Sequence, residues 1–63
     1  MKDYLVCVDT SYINGENGHI EFPLKAEDID SAIETANQVL NTVKSLYSFV
    51  KELNVKNVSE ITE

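Results

Sequence analysis

Residues 3–13, DYLVCVDTSYI, carry two alternating apolar sets. Tyr4, Val6 and Val8 fall on one side of an extended backbone, and Leu5, Cys7 and Ile13 on the other, with Asp9 interrupting the second set. A period of two is what the pleat of a strand imposes. A strand apolar on both sides predicts cover on both faces, and in a short chain a second copy can supply it. Residues 19–25, HIEFPLK, alternate more cleanly: Ile20, Phe22 and Leu24 face one way, His19, Glu21 and Lys25 the other. Pro23 has no N–H to give a neighbouring strand, which predicts an edge strand or a bulge.

Between these runs lies YINGENGHIEF, with both glycines and the single histidine of the chain. Asn-Gly suits the positive φ angles of a tight hairpin turn, so either Asn14-Gly15 or Asn17-Gly18 is the apex, or both sit in a longer loop. A calcium loop needs oxygen ligands at strict alternate positions, and Asp9, Ser11, Ile13 and Gly15 do not supply them. A Walker-type phosphate loop needs Gly-Lys-Ser/Thr before a helix, whereas a strand follows here. The stretch reads as a turn.

From Glu27 the period changes. Ile29, Ile33, Ala36, Leu40, Val43, Tyr47 and Val50 recur at steps of three and four, widened by Ala32, Val39, Leu46 and Leu53. This predicts an amphipathic helix over 28–53, with Asp28 as N-cap, acids near its positive end, and Asn54 ending it. The tail 55–63 is rich in β-branched residues and predicts a short third strand beside the first. Val55, Val58 and Ile61 are spaced by three, so a bulge near Asn57 or Ser59 is needed. The fold class expected is α+β: one domain over 1–63, a β-hairpin followed by one long amphipathic helix and a short C-terminal strand (ββαβ).

The lengths do not match. A helix over 28–53 would span ~39 Å, against ~20 Å for a six-residue strand. Either the helix breaks near Ser45–Ser48, or its second half packs on something else. That half, VKSLYSFV, is the more aromatic, and Val43, Leu46, Tyr47, Phe49 and Val50 are the expected dimer interface. Thr35, Asn37, Gln38, Asn41 and Thr42 form an uncharged polar side, read as a solvated face.

Length sharpens the dimer expectation. A chain of 63 residues buries only ~60% of its unfolded surface and commonly gains stability from a disulfide, a metal or a second subunit. Cys7 is the one cysteine, and a single Cys with a single His makes a poor metal set, which leaves a homodimer. The start, MKDYLVCVD, shows no apolar run of secretory length, and no stretch approaches the ~20 apolar residues that cross a membrane. A soluble, cytoplasmic protein is expected, the unpaired thiol fitting a reducing compartment.

Eleven acidic residues oppose five scattered lysines, with no arginine, for a net charge of −6. That balance disfavours nucleic acid and anionic membranes as direct partners. Glu27, Asp28, Asp30 and Glu34 cluster at the helix start. They read first as caps and solvated charge, and second as a contact patch for a basic partner protein. His19 reads as an exposed strand-end residue and Cys7 as a buried packing residue, although the pair could approach across the hairpin. No nucleophile motif surrounds the serines and threonines. No enzyme, metal or cofactor is expected.

In size, acidity and missing catalytic motifs the chain resembles the small proteins that phages and mobile elements direct against bacterial host or defence factors; this likeness carries no residue across. The leading expectation is a non-enzymatic interaction protein, a homodimer, that binds and modulates another protein. One alternative is a small-molecule binder at a dimer seam, with Tyr4, Tyr12 and Tyr47 as contacts. Another is a structural subunit assembled through exposed sheet edges.

Overall fold

The computed structural model describes residues 1–62. In chain order it contains β1 (Lys2–Tyr12), β2 (Asn17–Ala26), α1 (Ile29–Leu46) and β3 (Val50–Glu60). The sheet is antiparallel throughout, in the order β2-β1-β3, and α1 lies across one face. The α+β class and the ββαβ order are those the hydrophobic pattern predicts.

The hairpin apex is Asn14-Gly15, but not as a two-residue turn. The Gly15 N–H donates to the Tyr12 carbonyl at 3.0 Å, the Tyr12 N–H to the Glu16 carbonyl at 2.9 Å, and only Gly15 has positive φ, at 88°. This is a three-residue loop, a tight turn followed by a left-handed glycine. Asn14 contributes its side chain instead, its Oδ1 accepting from the Glu16 N–H at 3.0 Å. Asn17-Gly18 belongs to β2, opposite Ser11 and Thr10.

The helix begins where expected and ends early. Asp28 has an extended backbone and its carboxylate accepts the Ser31 N–H at 2.8 Å, satisfying an N–H that the first turn leaves open. That hydrogen bond, aided by the Lys2 charge, holds the Asp28 carboxyl below its ordinary value. A depressed folded-state pKa stabilises the fold above the unfolded carboxyl value, and the contribution disappears as pH falls through the lower folded value. Asp28→Ala is therefore expected to lower the melting temperature by a few degrees at pH 7. The deficit should shrink at pH 2–3, and Asp28→Asn, which keeps the acceptor, should show little of it at pH 7.

At the other end, α1 stops at Leu46 rather than Leu53. No proline or glycine forces this. Tyr47 leaves helical geometry, with φ −120° and ψ 103°, while its N–H still reaches the Val43 carbonyl. The Val50 N–H then closes a turn onto the Tyr47 carbonyl at 3.2 Å, and β3 starts. Val50 and Leu53 fit the helical stripe by spacing, but as strand residues they gain partners on β1, opposite Tyr12 and Thr10. Tertiary pairing outweighs local periodicity there. The mismatch of lengths is thereby inverted: 18 helical residues span ~27 Å and the 11-residue strands ~36 Å.

β3 also starts earlier than 55 and ends at Glu60, with Glu63 outside the described residues. Its register on β1 passes from Cys7↔Asn57 to Val8↔Val55, leaving Lys56 as the extra residue. This bulge, one residue before the expected Asn57, is why Val55 and Val58 both reach the core from a spacing of three.

The core is thin. Val6 and Val8 on β1 are fully covered by Ala36 and Leu40 of α1, flanked by Phe22, Leu24, Leu53, Val55 and Val58. Tyr4, Ala26 and Ala32 continue it toward the helix start. Alanines every fourth residue let the helix lie close to the central strand. Leu5 and Cys7 point to the second face, where among the described residues no element packs, and both are only half-buried.

Candidate functional site

At the turn end of the sheet the chain leaves apolar surface uncovered. Ile13 and Leu46 are each 70% exposed, Phe49 53% and Tyr47 49%. The elements converge there because β1 leads into the hairpin loop, α1 ends, and β3 begins. The Ile13 N–H donates to the Phe49 carbonyl at 3.0 Å, which fixes the loop against the start of β3. The Phe49 ring bridges Tyr12 and Tyr47, with centroids 6.0 and 5.5 Å away and both pairs tilted. Tilted aromatic pairs are mutually stabilising, so these rings form a fixed platform. Tyr12 also covers the side-chain-free position of Gly18, where an added Cβ would lie 3.9 Å from its ring.

Val43, Leu46, Tyr47, Phe49 and Val50, chosen on sequence as one surface, do gather at this end, but no longer along one helix. Leu46, Tyr47 and Phe49 are open, whereas Val43 and Val50 are half-buried. Ile13 was missing from that set. The available signal was an isoleucine directly before Asn-Gly, at a loop position where a polar residue is usual.

Glu27, Asp28, Asp30 and Glu34 are all exposed at the start of α1. Asp28 is occupied as the cap. The helix places this acidic end ~27 Å from the aromatic end. The two surfaces are separate, and a partner touching both would have to span the whole molecule. The three tyrosines proposed as ligand contacts are likewise not gathered: Tyr4 is buried in the core, far along β1 from Tyr12.

The uncovered sheet face holds an open cleft of about 490 Å³, bordered by Cys7, Asp9, His19, Glu21, Lys56 and Asn57. Cys7 is thus a half-buried residue of the open face, not a core residue. Its thiol donates to Glu21 Oε2 at 3.2 Å, across the β1–β2 pair Cys7↔Glu21. His19 stands opposite Asp9 on the same face. Among the described residues no group of three or more His, Cys, Asp and Glu side chains is placed to hold a metal ion.

The thiol pKa is raised, first by that hydrogen bond to Glu21, then by desolvation and the Glu21 charge, with Lys56 opposing. Such a thiol stays protonated near neutrality and is a slow nucleophile. Alkylation by iodoacetamide at pH 8 should be several-fold slower than for an unperturbed cysteine. Glu21→Ala removes both the acceptor and the charge and should restore the ordinary rate; an unchanged rate would show that Glu21 does not control the thiol.

Comparison with protein-family models, with curated proteins and with solved structures finds no match to this chain. Among the described residues no helix is long and apolar enough to cross a membrane.

Proposed function

We propose that the chain is a non-enzymatic acidic interaction protein that acts as a homodimer and binds and modulates another protein. The observation that carries this reading is the uncovered platform of Ile13, Leu46, Tyr47 and Phe49. Aromatic side chains held rigid by their neighbours lose little freedom on binding, which makes them effective anchors. The platform suits insertion into a partner's pocket better than end-to-end self-association. The molecule measures 38 × 19 × 14 Å over its Cα atoms, so its tip is the narrow 19 × 14 Å end. A stable flat interface needs ~800 Å² per partner, which a tip of this size does not offer.

The net charge of −6 and the acids at the start of α1 favour a partner with a basic surface. Size and acidity also fit a phage or mobile-element protein acting in the bacterial cytoplasm on a host or defence factor.

The test is capture of a partner from bacterial lysate by the tagged chain, followed by affinity measurement with two variants. Leu46→Ser with Phe49→Ser should weaken that binding roughly tenfold or more. The amide variant at Glu27, Asp28, Asp30 and Glu34 should weaken it less, mainly at low salt, because the amide introduced by Asp28→Asn can still cap the helix. Binding unaffected by the first variant would overturn the anchor, and binding unaffected by the second would overturn the acidic contact. A chain that captures no protein but melts higher with a metabolite would be a small-molecule binder instead.

A further inference from the structure

The two Asn-Gly pairs carry the same chemistry in different settings, Asn14-Gly15 at the hairpin apex and Asn17-Gly18 inside β2. We propose that Asn14 is a site of spontaneous deamidation in the folded protein, and that the sheet holds Asn17 inert. The inference goes beyond the binding reading above and does not depend on it.

In this reaction the backbone nitrogen of the following residue loses its proton and attacks the asparagine Cγ. The new N–Cγ bond closes a five-membered imide, the Cγ–Nδ2 bond breaks, and the amide nitrogen leaves as ammonia. Water then opens the imide at either carbonyl, giving aspartate or isoaspartate. A water is consumed and an ammonia released, with no oxidant or cofactor. Glycine favours the attack because it has no Cβ to obstruct it and its backbone turns most freely. The asparagines at 37, 41, 54 and 57 all precede a residue with a side chain. Chemistry therefore selects 14 and 17, and the fold separates them.

The Tyr12 N–H donates to the Glu16 carbonyl at 2.9 Å, so these residues form a hydrogen-bonded pair. Such pairs alternate along antiparallel strands, which makes Thr10 and Gly18 the next one. The nitrogen that would attack Asn17 is thereby committed to β1. Space is short as well: a Cβ at Gly18 would lie 3.2 Å from the Thr10 hydroxyl and 3.9 Å from the Tyr12 ring. The Asn17 side chain is itself tethered, its Oδ1 accepting from the Ser11 hydroxyl at 3.0 Å. Bringing the Gly18 nitrogen onto Asn17 Cγ requires unzipping the end of the hairpin.

Asn14 is exposed, and nothing lies within 4 Å of a Cβ built at Gly15. The attacking nitrogen is held by a single contact, from the Gly15 N–H to the Tyr12 carbonyl at 3.0 Å. That contact belongs to an exposed turn, and opening it leaves every strand pair in place. Loop tips open at small cost, whereas ladder positions open at a cost nearer that of global unfolding. The Asn14 side chain is also favourably set. Its Oδ1 accepts from the Glu16 N–H at 3.0 Å, which folds the amide back over the Gly15 peptide. The same N–H stabilises the negative charge that develops on this oxygen during attack.

The product bears on the exposed tip. Either acid adds a negative charge, and isoaspartate also lengthens the loop by a backbone carbon and draws the Asn14 acceptor into the main chain. The adjacent residue, Ile13, is the one whose N–H anchors the loop to the Phe49 carbonyl at 3.0 Å.

Peptide mapping by mass spectrometry tests the assignment, on the full chain incubated at mildly alkaline pH with and without urea. Both sites fall in one tryptic peptide, so fragment ions assign each amide-to-acid change. In the folded chain Asn14 should convert at least about tenfold faster than Asn17. In urea the two should convert at similar rates, because only the fold distinguishes them. Conversion should quicken as pH rises, since the attacking nitrogen must shed its proton. Asn14→Gln, whose longer side chain closes an imide far more slowly, should remove most of the ammonia released by the folded chain. Equal rates at the two sites in the folded chain, or a faster Asn17, would overturn the proposal. So would an Asn14 that keeps its amide over a period in which the unfolded chain loses it.

Discussion

Leu40→Ala is expected to unfold a large part of the population at 25 °C. Leu40 is 4% exposed and packs with Ala36 against Val6 and Val8, the two fully buried side chains of the sheet. Truncating a buried leucine costs ~2–5 kcal/mol, from lost transfer energy and the cavity left behind. At ~0.05–0.15 kcal/mol per residue a chain of this length has only ~3–9 kcal/mol in total. The neighbours offer little relaxation, because Ala36 has no longer side chain to move into the gap. Circular dichroism melts at two protein concentrations measure the loss and separate it from dimer dissociation, which would shift with concentration. Leu46→Ala is the control: at 70% exposure it should change stability by no more than ~0.5 kcal/mol. Equal melting temperatures for the two variants would mean that the helix is not held to the sheet through Leu40.

That contrast between two leucines of one helix shows what the hydrophobic pattern could and could not convey. Spacing identified the stripe that carries Ala36 and Leu40, and the alternation at Ile20, Phe22 and Leu24 identified the inward side of β2. Periodicity could not show where the helix would stop. Val50 and Leu53 satisfy a 3.6-residue repeat as well as Val43 does, and no helix-breaking residue separates them. What distinguishes them is pairing with Tyr12 and Thr10, some forty residues earlier in the chain. A contact of such sequence separation leaves no mark in a local window.

The same limit applies to the candidate surfaces. The acids at 27, 28, 30 and 34 are contiguous in sequence and stay together in space. Ile13 joins Phe49 only because the hairpin loop closes against the start of β3, and Cys7 meets Glu21 only through strand register. Both juxtapositions depend on the hairpin's exact turn. A two-residue loop at Asn17-Gly18 would have set Cys7 against a different residue. A bulge near Asn57 or Ser59 follows from the spacing of Val55, Val58 and Ile61, yet its place at Lys56 needed the register on β1.

Thr10→Val is expected to stabilise the fold, an unusual direction for a substitution in a small core. Thr10 lies on the helix face of β1, between Gly18 on β2 and Leu53 on β3, and is 3% exposed. Among the described residues its Oγ1 has no hydrogen-bond partner. A buried polar group left without a partner costs ~1–3 kcal/mol. Valine has nearly the same shape and replaces the hydroxyl with a methyl at no such cost. Room for it exists because position 18 is glycine: a Cβ there would stand 3.2 Å from Oγ1, a tighter contact than a strand pair normally makes. The expected gain is ~1–2 kcal/mol, which for a domain of this size raises the melting temperature by ~4–8 °C for each kcal/mol. Urea titration gives the free energy directly, and Thr10→Ser, which keeps the hydroxyl and deletes the methyl, should move stability the other way. If valine leaves stability unchanged or lowers it, the hydroxyl is bonded in solution through the gap at Gly18. The turn end of the core, directly beneath Tyr12, would then be wetter than its packing implies.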